Sequence, residues 1–434
     1  MKADHNVKWT LLLAMLATTA SRSSADEKSW VGEKVMVKTS EVKFTDWQGD
    51  NLVEVKLTDA LLPVLTEKEG FLRVRDDRRE AWAEKKDMVL LRDAPGHYTD
   101  LIRVNEKDLW AWNMRGIAWG EKGELDNAIK DFTEAIRLDP KDGMAFGNRG
   151  NAWTRKKDYD KAIQDFDEVI RLNPKEAIAF NNRGFVWHAK NEDDKAIRDY
   201  DEAIRLNPNY EGAFNNRGNA WSRKKDYERA IQDYDEAIRL NPKYTLAFTN
   251  RGRVWRAKKE YDKAIRDYEE AIRLDPKNAW ALFNRSVVQI MMREPEAPRG
   301  FQAVLDIEGY KGHMAPYAVV LGHFAARQSN DESAANRFLT ESAGKLAEDW
   351  PYPAVRFLRG EIDEAALLKL ATDDDKRTEA RCFLGLDHML KDRKNEALAH
   401  FRWVKEHGNP SFVEYTIAVA ELDRLEQARD KSKQ

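Results

Sequence analysis

The residues best suited to specific contacts are an asparagine that recurs every 34 residues and several side chains that vary between repeats. A side-chain amide donates and accepts hydrogen bonds at once, which suits the backbone of an extended peptide. A guanidinium can hold a carboxylate in two parallel bonds. The asparagines are Asn148, Asn182, Asn216, Asn250 and Asn284. The variable positions are Arg155, Phe185, His188, Arg223, Arg253 and Arg256. These residues form the candidate site and predict binding of an extended, acidic or C-terminal segment.

Plainer interpretations of the same residues stay open. The asparagines could simply brace or solvate a helix face, and the arginines could pair with acidic neighbours along that face. Phe185 and His188 lie one helical turn apart and could form an apolar pocket in a polar channel. The five tryptophans at 34-residue spacing, Trp119 through Trp255, are more consistent with packing than with binding.

Catalytic patterns are missing from the sequence. The eight histidines are scattered, with no HExxH motif, no Cys/His ligand spacing and no GxxxxGK[ST] phosphate loop. Recurring carboxylates such as Asp165, Asp167 and Glu168 are expected to point to solvent. The single cysteine, Cys382, allows no internal disulfide and is expected to be buried and inert. We therefore predict no catalytic residue, metal ligand or cofactor, with an enzyme lacking recognisable motifs as a distant alternative.

Paired helices must position the candidate site. Five prolines stand 34 residues apart, at Pro140, Pro174, Pro208, Pro242 and Pro276. In residues 211–244, apolar residues at helical spacing predict a first helix, and a second helix should run from about Tyr227 to Leu240. Asn241-Pro242 ends it, because proline lacks the N–H that a helix needs. Neither helix could bury its apolar stripe alone, so the period predicts a stacked array.

The repeated residues resemble the tetratricopeptide repeat (TPR). Its pattern is matched at Phe214, Gly218, Trp221, Ala230, Tyr234, Ala237 and Pro242. The resemblance covers five units and implies a right-handed superhelix, an α-solenoid, whose first helices line a concave groove. In the family, an asparagine at the recurring position often bonds to a bound peptide. One departure is constant, since arginine replaces the usual leucine before the glycine, at Arg115, Arg149, Arg183, Arg217 and Arg251. We interpret it as a packed stem whose head pairs with a neighbouring carboxylate.

The flanking regions carry two further resemblances. Alternating runs before the repeats predict strands, and residues 70–74 and 82–90 resemble bacterial SH3-like domains, which implies a small β-barrel. Such a barrel could touch cell wall or a peptide, or could serve as a cap without a ligand. About the last hundred residues resemble the C-terminal half of a dimeric bacterial envelope lipoprotein that acts as adaptor for a protease and cell-wall hydrolases. The lipid-accepting cysteine of that family is missing near this N-terminus.

The N-terminus predicts export. Lys2 and Lys8 precede a short apolar run and small residues, as in a secretory signal peptide cut after Ala25, although an uncleaved membrane anchor stays open. The predicted organisation is as follows: 1–25 signal peptide, 29–93 SH3-like domain, 96–108 lead-in helix, 109–278 five regular units, 279–310 degenerate sixth unit, 311–428 divergent units and capping helix, and 429–434 tail.

Composition narrows the partner. The net charge of −3, with 34% of residues charged, lacks the basic excess that nucleic-acid binding favours. We therefore predict a secreted or periplasmic, mainly α, non-catalytic scaffold that binds protein segments and could form a homodimer. The alternative is a wall-associated adaptor, in which the SH3-like domain holds cell-wall polymer or a wall enzyme and the repeats act as a spacer.

Overall fold

The computed structural model describes residues 29–40, 42–48, 51–55, 60–68, 70–76 and 79–431. The predicted signal peptide and the last three residues of the predicted tail lie outside the described residues. The described chain divides into two compact units, residues 1–206 and 207–434, which are considered separately below.

An antiparallel sheet begins the first unit. Its strands are β1 (Lys34–Val37), β2 (Phe44–Gln48), β3 (Asn51–Val55), β4 (Leu62–Lys68), β5 (Phe71–Arg75), β6 (Glu80–Glu84) and β7 (Met88–Leu90). Their order is β3-β2-β6-β5-β4-β1-β7. Alternate residues of β5 and β6 are buried, such as Leu72, Val74, Ala81 and Ala83, because successive side chains of a strand point to opposite faces.

The rest of the first unit is helical. Its helices are α1 (Ala94–Val104), α2 (Leu109–Glu121), α3 (Leu125–Leu138), α4 (Gly143–Arg155), α5 (Tyr159–Leu172), α6 (Ala177–Ala189) and α7 (Asp193–Leu206). Helix α1 joins the sheet to the first repeat, since buried Tyr98 donates a hydrogen bond to the Val37 carbonyl and packs with Met114 of α2. Helices α2 to α7 then form three antiparallel pairs.

The second unit is helical throughout. It contains α8 (Glu211–Arg223), α9 (Tyr227–Leu240), α10 (Thr245–Ala257), α11 (Tyr261–Leu274), α12 (Ala279–Met292), α13 (Ala297–Glu308), α14 (Ala315–Gln328), α15 (Glu332–Glu341), α16 (Tyr352–Leu358), α17 (Glu364–Leu370), α18 (Asp374–Leu390), α19 (Lys394–His407) and α20 (Val413–Lys431). A hydrophobic core from Leu282 to Leu422 joins its C-terminal helices, while the regular repeats have small local clusters.

Glycines set the close approach within each helix pair. A Cβ at Gly184 of α6 would lie 2.8 Å from the Tyr200 ring of α7. At Gly385 of α18, the corresponding distance to the Phe401 ring of α19 would be 2.3 Å. Only a residue without a side chain permits these contacts, so the divergent C-terminal pairs use the same packing device as the regular repeats.

The predicted fold class is confirmed as a TPR-type helical array preceded by a small antiparallel sheet. The alternating runs that predict strands, at residues 35–37, 52–55, 63–65, 71–74 and 79–83, coincide with β1, β3, β4, β5 and β6, whereas β2 and β7 were not predicted. Strand β7 is only three residues long and wholly buried, so it shows no alternation. The resemblance to SH3-like domains, the closed barrel and the domain boundaries stay predictions.

Candidate functional site

In the first unit, the candidate residues lie on the first helices α4 and α6, which contact each other. Asn148 and Asn182 are half-buried, and Asn182 donates a weak hydrogen bond to Asn151 Oδ1 at 3.4 Å. Phe185 is 49% exposed, an unusual environment for a phenylalanine. Arg155 is exposed and donates to the Gly120 carbonyl at 2.7 Å. This face therefore combines amides with an apolar ring that solvent can reach.

His188 does not form an apolar pocket with Phe185, because its imidazole contacts a carboxylate. Its Nδ1 atom lies 2.7 Å from Asp193 Oδ1 at the start of α7, so the ring is fixed by a carboxylate. The imidazole is half-buried, whereas Phe185 is exposed. His188 therefore braces the turn between α6 and α7, and Phe185 and Ile178 are the exposed large apolar side chains of this helix.

In the second unit, α8 and α10 lie side by side and hold five of the candidate residues. Asn216 and Asn250 are half-buried, and Asn250 donates to Asn215 Oδ1 across the two helices at 3.0 Å. Arg223 and Arg253 are both exposed. Asn216 and Arg223 are seven residues apart, two helical turns, so they share one face of α8.

Two candidate residues are buried and leave the set that can contact a ligand. Arg256 is 7% exposed and Asn284 is 2% exposed. Arg256 Nη1 donates to Asn284 Oδ1 at 3.0 Å, and Asn284 Nδ2 donates to the Trp280 carbonyl at 2.8 Å. Burial lowers the pKa of Arg256. Helix α12 lies against both α10 and α20, an arrangement that the regular repeat pattern could not reveal.

The arginine that precedes each repeat glycine pairs with a buried aspartate, as predicted for its head. Arg149 Nε and Nη2 donate to the two carboxylate oxygens of Asp165 at 2.9 and 2.7 Å. The same bidentate pair recurs as Arg115–Asp131, Arg183–Asp199, Arg217–Asp233 and Arg251–Asp267.

The expectation that Asp165 points to solvent is wrong. Its side chain is 5% exposed, and burial raises its pKa despite the Arg149 contacts. The signal was present in the sequence, since arginine and aspartate recur sixteen residues apart in each of the five regular repeats. These arginines are held inside the repeats and are not ligand contacts.

Family comparison agrees with this repeat geometry. Residues 109–142, 144–176, 177–210 and 212–244 match the tetratricopeptide repeat model, and residues 252–291 match a second model described as TPR repeat. The chain carries tetratricopeptide repeats. Such repeats support a protein–protein interaction scaffold whose partners are proteins or peptides.

Several solved structures are similar over part of the chain. YrrB, described as a TPR protein with an unusual peptide-binding site, is 23% identical, with 43% of this chain and 95% of that chain covered and a TM-score of 0.34. MamA is 23% identical, covering 38% and 96%, with a TM-score of 0.34. Pseudomonas aeruginosa pilF is 21% identical, covering 46% and 89%, with a TM-score of 0.41. No curated protein sequence matches the chain. In the part of the chain that the structure describes, no helix has the length and apolarity to cross a membrane.

A histidine–carboxylate cluster lies beyond the regular TPR units, and sequence reasoning missed it. His388 Nε2 and His400 Nε2 lie 3.2 and 3.1 Å from the two carboxylate oxygens of Glu364, and the imidazoles stack at 5.3 Å. Two imidazoles and a carboxylate are ligands that divalent transition metals accept. Arg381 Nη1 lies 3.4 Å from His400 Nδ1, however, and its positive charge opposes a cation there. The three residues come from α17, α18 and α19, so no local spacing indicates them.

A second buried cluster holds two carboxyl groups, Glu379 and Glu414. Trp350 Nε1 and the Tyr317 hydroxyl donate to Glu379 at 2.5 and 3.3 Å. Burial raises the pKa of Glu379 to about 7 and that of Glu414 to about 8. The buried thiol of Cys382 also has a raised pKa because of burial, and it is unreactive for the same reason. The described structure thus places these groups inside the helical core, where they serve packing.

Proposed function

We propose that this protein is a non-catalytic scaffold that binds extended segments of other proteins on the first-helix faces of its TPR units. The observation that carries the proposal is the pair of exposed arginines, Arg223 and Arg253, beside the half-buried amides of Asn216 and Asn250. Amides suit a peptide backbone, and guanidinium groups suit carboxylates. The preferred ligand is an extended acidic segment or a free C-terminus.

The arginines that pack each repeat form a separate set. Arg217 and Arg251 belong to the same two helices, α8 and α10, yet both are bound to buried aspartates. Arg253 has no equivalent arginine in the first-unit repeats, where Asn151 and Phe185 stand at the aligned positions, and Arg223 aligns with Ala189 and Arg155. Positions that packing does not fix are the ones available for specificity.

We further propose that the protein acts in the cell envelope, as a secreted or periplasmic adaptor. The support is the N-terminal apolar run with its preceding lysines, together with the C-terminal resemblance to an envelope adaptor. Wall-polymer binding by the N-terminal sheet is the weaker candidate, since its support is one short stretch of sequence.

Peptide selection on the full chain tests the groove proposal. Peptides with free C-termini are selected from a random display library, and their affinities are measured for the wild type and for Arg223→Glu/Arg253→Glu. We expect acidic peptides and a loss of at least about tenfold, because two charge-assisted contacts become repulsive. The matched control is Arg239→Glu on the second helix α9, where the arginine pairs with Glu236. Equal binding by the groove variant and the control would refute the assignment of this face.

A further inference from the structure

The first TPR unit differs from the others in how it surrounds its tryptophan. In the next four units, a cation at the start of the second helix lies over the indole ring. The distances are 4.2 Å for Lys161 over Trp153, 4.2 Å for Lys195 over Trp187, 4.1 Å for Arg229 over Trp221 and 4.5 Å for Lys263 over Trp255. A cation over an indole face is the most favourable case of the cation–π interaction.

A carboxylate three residues earlier holds the same cation in each of these units. Lys161 Nζ lies 2.7 Å from Asp158, and the matching pairs are Lys195–Glu192 at 2.5 Å, Arg229–Asp226 at 2.8 Å and Lys263–Glu260 at 3.5 Å. The ring and the carboxylate together thus form a seat for one basic side chain.

The first TPR unit has the ring and the carboxylate of this seat but lacks the basic side chain. Trp119 and Glu124 stand at the ring and carboxylate positions, and the Glu124 N–H bonds to the Trp119 carbonyl at 2.9 Å as Asp158 does to Trp153 at 3.0 Å. The cation position is Asn127, an uncharged residue. Within the described residues, Glu124 has no ion pair.

A cavity of about 470 Å³ opens where the cation would lie. Its lining residues are Trp112, Arg115 and Trp119 from α2 and Asn127, Lys130, Asp131 and Glu134 from α3. The Arg115 guanidinium is engaged by both carboxylate oxygens of Asp131. It lies on the side of α2 that faces α3, whereas the position equivalent to Asn148 is Met114 on another side of that helix. This cavity is therefore distinct from the proposed peptide-binding face.

The lysines already near Trp119, which are Lys122 and Lys130, do not occupy this seat. Lys122 Nζ lies 5.7 Å from the Trp119 ring. The aligned lysines, Lys156 and Lys190, lie 5.8 Å from the Trp153 ring and 5.6 Å from the Trp187 ring. Each of those two rings also has a closer lysine, at 4.2 Å. One indole in this fold thus accommodates two ammonium groups. Lys130 makes no recorded ring contact with Trp119 in the described structure.

We propose that the cavity beside Trp119 and Asn127, in the unit where Glu124 stands at the carboxylate position, is a binding site for a lysine side chain of a partner protein. The expected occupant is an ammonium group, since lysine fills three of the four internal seats. The partner's lysine makes the same two contacts, with an indole ring and with a carboxylate, that Lys161 makes in the second TPR unit. The site is a second recognition point, selective for basic residues, whereas the proposed peptide-binding face favours acidic ones.

The test uses the full chain labelled with 5-fluorotryptophan, and the probe peptide acetyl-Gly-Lys-Gly-amide. The Trp119 fluorine resonance is assigned as the one lost in Trp119→Phe. A single exposed cation–π contact is weak, so the titration runs to about 50 mM peptide. We expect a saturable shift of the Trp119 resonance with this peptide and none with the Nζ-acetylated peptide, which lacks the charge.

Two substitutions make the test specific, because neither removes a packed side chain. Asn127→Lys gives the first unit the lysine of its neighbours and should abolish the Trp119 response. Lys161→Asn should make Trp153 respond as Trp119 does in the wild type. Far-UV circular dichroism confirms that both variants fold.

The proposal is overturned if the Trp119 resonance ignores the lysine peptide, if the acetylated peptide shifts it equally, or if Asn127→Lys responds as the wild type does. A dilution series of the protein alone should leave the resonance unchanged. A concentration-dependent shift would also overturn the proposal, since it would assign the site to a second copy of this chain.

Discussion

At the scale of single residues, only part of the repeated Arg–Asp pair could be predicted from the sequence. The arginine was predicted to pair with a carboxylate, and the structure confirms the pair. The partner could not be recognised from charge alone, because Asp165, Asp167 and Glu168 are all acidic while only Asp165 is buried. The distinction depends on which side of the helix faces the neighbour, and that follows from packing.

The pair predicts a large effect of removing the arginine alone. Arg149→Met leaves the Asp165 carboxylate buried without its partner, so we expect the free energy of unfolding to fall by about 3 kcal/mol. Urea denaturation measures it. Arg171→Met, which removes an exposed partner of Glu168 in the same unit, is the control and should be nearly silent. Arg149→Met/Asp165→Leu should recover most of the loss. Equal effects of Arg149→Met and Arg171→Met would contradict this account.

At the scale of helices, sequence periodicity predicts the array well because each unit repeats its packing residues. The 34-residue proline spacing marks where second helices end, and those helices end at Leu138, Leu172, Leu206, Leu240 and Leu274. Side-chain clusters built from several helices could not be predicted from this periodicity. Glu364, His388 and His400 meet only because three helices pack together. Arg256 and Asn284 are buried in the region where α12 lies against both α10 and α20.

The close crossing of α6 and α7 at Gly184 predicts a loss of stability when a side chain is added there. Gly184→Ala would place a methyl group 2.8 Å from the Tyr200 ring and 3.2 Å from the Ala196 carbonyl, so α6 and α7 must separate. We expect a loss of about 1–3 kcal/mol in stability, seen as a lower thermal midpoint by far-UV circular dichroism. Gly143→Ala is the matched control, because nothing lies within 4 Å of its added Cβ. A Gly184→Ala midpoint as high as that of Gly143→Ala would show that the crossing tolerates a side chain.

At the scale of the whole molecule, hydrophobic packing is distributed unevenly. In the regular units, small clusters such as Ala230, Tyr234 and Val254 link each helix only to its neighbours. From Leu282 to Leu422, one continuous cluster joins α12 through α20. Array stability is approximately a sum of local terms where contacts are only between neighbours. The C-terminal cluster instead couples helices that are distant in sequence, so it should open as one cooperative block.

Hydrogen–deuterium exchange of the full chain measures that difference. Amides of α14 and α18 should exchange more slowly than those of α9, because their opening disrupts the larger core. Phe383→Ala, which removes a fully buried ring stacked on Phe324, should lower protection together across α14, α18 and α20. Tyr234→Ala should lower protection only in α9 and the helices beside it. Exchange in α18 as fast as in α9, or a Phe383→Ala effect confined to α18, would mean that the C-terminal helices unfold independently despite their shared core.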